Sequence, residues 1–72
     1  MPYKREVLGY SLVVYAINHG QHYQGVARVF SPDSTHLRTI ETSARHPTLS
    51  DAESVAARLG DSYVRSLVGQ RN

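Results

Sequence analysis

The sequence contains no cysteine. Disulfide staples and every thiolate zinc site are therefore excluded. It has no apolar run of roughly 18 residues, so no membrane-spanning helix is expected. The N-terminus "MPYKREVLGY" is basic. No apolar h-region or small-residue cleavage site follows, as a secretory leader would require. A bacterial-type cytoplasmic protein is the default expectation. Net charge is also scarce: eight Lys and Arg stand against six Asp and Glu, giving +2. The pI of about 9.3 overstates this balance. Strong nucleic-acid binding needs several clustered cations, which a bare +2 does not supply. Internal repeats and low-complexity runs are missing as well.

What is present fits one domain spanning residues 1–72. A chain this short buries only roughly 60% of its unfolded surface, and small domains usually add a staple. With disulfides excluded, the options are a histidine or carboxylate metal site, self-association, or close packing.

Three strands are expected. "VLGYSLVVYAI" at 7–17 is rich in β-branched and aromatic residues. "NHGQH" then supplies Asn18 and Gly20, which tolerate positive φ. "YQGVARVF" at 23–30 reads as a second strand, "SPDST" as a turn, and "HLRTIET" at 36–42 as a third strand. After the loop "SARHP", Ser50 and Glu53 match the S-x-x-E capping box, and Asp51 and Glu53 suit the positive end of a helix dipole. Ala52, Val55, Ala56, Leu59, Tyr63 and Leu67 recur at helical spacing, predicting a helix over 51–68. Gly60 interrupts it at a cost of about 1 kcal/mol relative to alanine. The apolar stripe keeps its phase through Gly60, where a missing side chain would let helix and sheet approach; the alternative is a break there with Asp61 capping a second helix. Gly69 is the natural C-terminal cap. The expected fold is α+β: a three-stranded antiparallel meander with a C-terminal helix on one face.

Pairing Ile17 opposite Tyr23 sorts the side chains onto two faces. Val13, Tyr15, Ile17, Tyr23, Gly25, Ala27 and Val29 share one; Gly25 and Ala27 leave room for the helix there. Tyr10, Leu12, Val14, Ala16, Gln24, Val26, Arg28 and Phe30 share the other, which stays open. A one-residue slip would swap the faces of one strand. Monomers seldom leave a contiguous apolar patch of several hundred Å² in water. The open face is therefore expected to be an interface with a second copy or another protein chain, anchored by Tyr10, Leu12, Val14, Val26 and Phe30. The alternative is that the N-terminal arm or the C-terminal tail covers it.

Other chemistry is weaker. His19 and His22 give at most two metal ligands, and zinc needs three or four. In a meander His36 lies at the far end of the sheet, whereas His46 follows the third strand back toward the first turn. His19, His22 and His46 are the weak metal candidates; "NHGQH" reads more simply as a hairpin loop, and no cofactor is expected. No serine sits in a strained elbow beside a histidine, and the carboxylates are scattered, so catalysis is not expected. For nucleic acid, Arg28, Arg38 and Arg45 are the candidates. "QGVARVF" loosely matches an RNA-recognition motif, but Val26 and Arg28 stand where stacking aromatics belong. A three-stranded sheet followed by a helix resembles the later part of a double-stranded-RNA-binding domain. The acidic first turn (Asp51, Glu53) replaces that family's lysine cluster.

"HPTLSDAESVAARL" is similar to the stretch that opens the helix of HicB-type antitoxins, with Thr48, Leu49 and Ala52 on the T-L-x-x-A pattern. The resemblance implies a compact sheet-plus-helix shape over the β-β-β-α core. The Gly/Pro-rich segment before that motif is replaced by "ETSARH", and no final strand or DNA-binding tail is expected. The shape is implied; the antitoxin function is not. The sequence looks equally like small bacterial β-β-β-α domains of unassigned activity.

Overall fold

The computed structural model describes residues 2–70. It is α+β, with one open antiparallel sheet in the order β1 (Tyr3–Val7), β2 (Tyr10–Asn18), β3 (Tyr23–Phe30), β4 (His36–Glu41), followed by α1 (Leu49–Gly69). Four strands thus replace the expected three. The long apolar segment starting at Val7 is two strands, not one. Leu8 and Gly9 both have positive φ, 51° and 86°. That is the geometry of a two-residue type I′ hairpin, which normally carries Asn-Gly or Asp-Gly. "YKREV" pairs with β2 although it is mostly charged, because an edge strand tolerates charge on exposed positions.

The second hairpin is the expected loop. Asn18 Oδ1 accepts from the Gly20 N–H at 2.7 Å, Gly20 lies at φ 97°, and the His19 N–H donates to the His22 carbonyl at 2.9 Å. This loop has four residues, so Asn18, not Ile17, pairs with Tyr23. The one-residue slip turns β2 over relative to the expected arrangement. Tyr10, Leu12 and Val14 therefore lie beneath the helix, in the core, and not on the open face. Leu12 and Val14 are fully buried. Burying each such side chain contributes about 1.5–3 kcal/mol.

The helix is continuous through Gly60 and begins two residues before the expected start. Thr48 is the N-cap: its Oγ1 accepts from the Asp51 N–H at 3.0 Å. Ser50 lies inside the first turn. The buried line along α1 is Ala52, Ala56, Ala57, Gly60 and Val64. Leu59, placed on the stripe from spacing, is 41% exposed. Small residues decide which face packs, because they let α1 lie close against β2 and β3. A Cβ on Gly60 would sit 3.1 Å from Leu12 Cδ1 and 3.3 Å from Ala27 Cβ. A Cβ on Gly25 would sit 2.1 Å from the Ala52 carbonyl oxygen.

Beyond β4 the chain stays stitched to the start of β3. Thr42 Oγ1 accepts from the Gly25 N–H at 3.0 Å, and the Thr42 N–H donates to the Gly25 carbonyl at 2.9 Å. Tyr23 and His46 exchange backbone bonds of 2.8 and 3.0 Å. The loop before the helix is thereby fixed beside the second hairpin turn, at residues 19–22.

Candidate functional site

The helix covers one side of the sheet, and the other side is open. Register places Tyr15, Val26 and Glu41 in one cross-strand row on that side. Lys4, Val13, Arg28 and Thr39 form the next row. Beyond these lie Ile17 with Gln24 at one end, and Glu6, Ser11, Phe30 and His36 at the other. The apolar centre is therefore Val13, Tyr15 and Val26, flanked by Ile17 and Phe30. Val26 is only 2% exposed, so it offers little surface of its own on this side. Arg28 lies 5.5 Å from the Phe30 ring centroid, and Phe30 is tilted against His36 at 5.3 Å.

Of the five expected anchors, Val26 and Phe30 stand on this face, and Tyr10, Leu12 and Val14 do not. Val13, Tyr15 and Ile17 stand there in their place. Alternation along β2 separated the two sets correctly, but it does not say which set meets the helix.

The arginines expected to act together are dispersed. Arg28 is on the open face, Arg38 lies on the helix side 5.4 Å from the Tyr63 ring centroid, and Arg45 borders the hairpin loop beside His22. They form no common patch.

At that loop, the His19 and His22 rings stack at 5.0 Å, and His19 Nε2 lies 3.0 Å from Gln24 Oε1. His46 is brought to the same end, as its position after the third expected strand implied. With Gln21, Arg45 and Pro47, His22 and His46 line a shallow cavity. His46 Nε2 is buried without a hydrogen-bond partner among the described residues. Among those residues, no group of three or more His, Asp or Glu side chains is placed to hold a metal ion. Desolvation, with Arg45 and His19 nearby, holds the His22 pKa below the usual histidine value. A depressed pKa favours the neutral imidazole, and the adjacent guanidinium opposes a bound cation.

In the other turn, Asp33 accepts from Ser31 Oγ, and from the Thr35 N–H at 3.1 Å. These bonds hold its carboxyl below the usual carboxylate value. They account for Asp33 as a turn residue. Among the described residues, no helix is long and apolar enough to cross a membrane. No known protein family, curated protein or solved structure matches the chain.

Proposed function

We propose that this domain is a non-catalytic interaction module whose open sheet face pairs with a second copy of the chain. The observation that carries this reading is the row structure of that face. Lys4 and Arg28 lie in one row, and Glu41 lies in the row beside it. A two-fold axis between these rows, perpendicular to the strands, keeps each strand over its counterpart and sets Arg28 of one copy, on β3, diagonally beside Glu41 of the other, on the neighbouring β4. The same axis brings Phe30 of one copy toward Ile17 and Gln24 of its partner. The Arg28–Glu41 and Phe30–Ile17 approaches then each occur twice across the axis, as an isologous interface requires.

Its size sets the expected strength. Four strands at about 4.8 Å spacing and a length of about 27 Å give a footprint of about 500 Å² per copy. A pair buries about 1,000 Å², the lower bound for a specific interface. A concentration-dependent dimer follows, not an obligate one.

Light scattering after size exclusion tests this over a wide concentration range. The expected mass rises from 8.0 kDa toward twice that value. Phe30→Asp is expected to stay at 8.0 kDa at all concentrations while keeping its circular dichroism spectrum. An unchanged dimer in that variant rejects this face, and a clean wild-type monomer rejects self-association. A nucleic-acid module built on Arg28, Arg38 and Arg45 is the weaker reading, since those three share no surface.

A further inference from the structure

The helix lies across β2 and β3, leaving β1 to overhang its flank. Beneath the overhang runs an open groove of about 540 Å³, on the opposite side of the sheet from the self-association face. Tyr3 and Arg5 line it from β1; Ser54, Arg58, Asp61 and Arg65 line it from α1. We propose that this groove binds the phosphate backbone of a single-stranded nucleic acid, with Tyr3 as the surface on which a base stacks.

Charge is the first argument. Three guanidiniums line the groove against one carboxylate. Asp61 pairs with Arg5 at 3.3 Å and also with Arg65. One acid thus orients two guanidiniums and leaves an excess of two positive charges. Arg58 forms no ion pair with any described residue, so its donors are free for an anion. Arginine is the side chain best suited to phosphate, through its planar fork of donors.

Shape is the second argument. Ser54, Arg58, Asp61 and Arg65 recur at helical spacing, so they form a stripe along one flank of α1. Arg58 and Arg65 are seven residues apart, about 10.5 Å along the helix axis. The positive charge is therefore a track and not a single point, which suits a chain of phosphates. The groove is open along its length, unlike the enclosing pockets that bury small ligands.

The aromatic is the third argument. Tyr3 is 41% exposed. Single-strand binders pair a cationic groove with aromatic stacking platforms. An unstacked base can reach a ring inside a groove, whereas a paired base in a duplex cannot.

The test is a ¹H–¹⁵N NMR titration of the full chain with an oligothymidylate of about eight nucleotides, within the usual site size. Shifts are expected at Tyr3, Arg5, Ser54, Arg58 and Arg65. With two phosphates neutralised, affinity falls about sevenfold between 50 and 200 mM salt, and in Arg58→Ala the fall shrinks to about threefold. Arg38→Ala, outside the groove, retains the sevenfold fall. The proposal is overturned if no shifts appear at about 50 mM salt. Shifts confined to Arg28, Arg38 or Arg45 also overturn it. So does inorganic tripolyphosphate binding as tightly at the same arginines with Tyr3 unmoved, which would assign the groove to free polyphosphate.

Discussion

Replacing Gly25 with alanine probes the close approach of α1 to β3. The new Cβ would lie 2.1 Å from the Ala52 carbonyl oxygen and 2.9 Å from the Ala56 Cβ. The carbonyl is backbone inside the second helical turn and cannot swing aside. Two effects oppose each other. Alanine in a strand recovers about 0.5–1 kcal/mol of the entropy that glycine loses on folding. Overpacking a filled core costs about 1–3 kcal/mol even when flexible side chains can yield, and here the obstacle is main chain. The clash wins, and a net loss of about 3 kcal/mol is expected. A domain of 72 residues has a total stability of about 4–11 kcal/mol, so this is a large fraction. Urea denaturation followed by circular dichroism measures it, and the thermal midpoint should fall by at least about 10 °C. Gly60→Ala is the internal comparison. Its Cβ would meet side-chain atoms at 3.1 to 3.3 Å, which can shift slightly, while helix propensity gains about 1 kcal/mol. Its midpoint should move far less. A Gly25→Ala midpoint equal to wild type would refute the close helix–strand approach.

Leu8→Asn should stabilise by about 1 kcal/mol, because leucine at φ 51° carries a left-handed penalty that asparagine bears more easily; a lower urea midpoint would refute the turn assignment. Thr48→Ala should cost about 1 kcal/mol and Ser50→Ala only a few tenths, since Thr48 accepts the capping bond; chemical denaturation of both variants reads the difference, and reversed costs would move the helix start. The His22 pKa is lowered in the fold, so its neutral form is the folded form. Its contribution to stability is present above pH 6.5 and is lost as pH falls through the lower folded value. An NMR titration should place its midpoint below 6.5, moving up in Arg45→Gln; a midpoint above 6.5 in the wild type contradicts this.

The helix and the last three strands were legible because each has a strong local cause. Pro47 and Thr48 precede a clear periodicity, and Asn18 with Gly20 marks a turn. β1 was not legible, because four of its five residues are exposed and charge masks the alternation. Its turn hides as well, since Leu8-Gly9 is not a dipeptide that advertises a type I′ hairpin. The open face was half legible. Alternation sorted β2 into Tyr10, Leu12 and Val14 against Val13, Tyr15 and Ile17. Which set met the helix hung on one loop residue, and a sequence carries no direct measure of loop length. The small-residue line Ala52, Ala56 and Gly60 held the missing signal, because alanines and glycine mark the closest approach more sharply than Leu59 does. The arginine stripe on α1 was readable from spacing, but its partners Tyr3 and Arg5 lay on the strand that was missed.

β1 contributes to both surfaces. Lys4 and Glu6 point to the open face, and Tyr3 and Arg5 line the groove on the other side. It is an edge strand whose ladder bonds go to β2 alone, tied to the helix mainly by the Arg5–Asp61 pair. Its amides should be among the first in the sheet to exchange with solvent. Anything that fastens β1 from one side also lowers the ordering entropy left for the other side. If both proposals hold, dimerisation and groove occupancy would be linked through this single edge strand. The linkage is reciprocal: whatever factor one event adds to the other's binding constant, it receives in return.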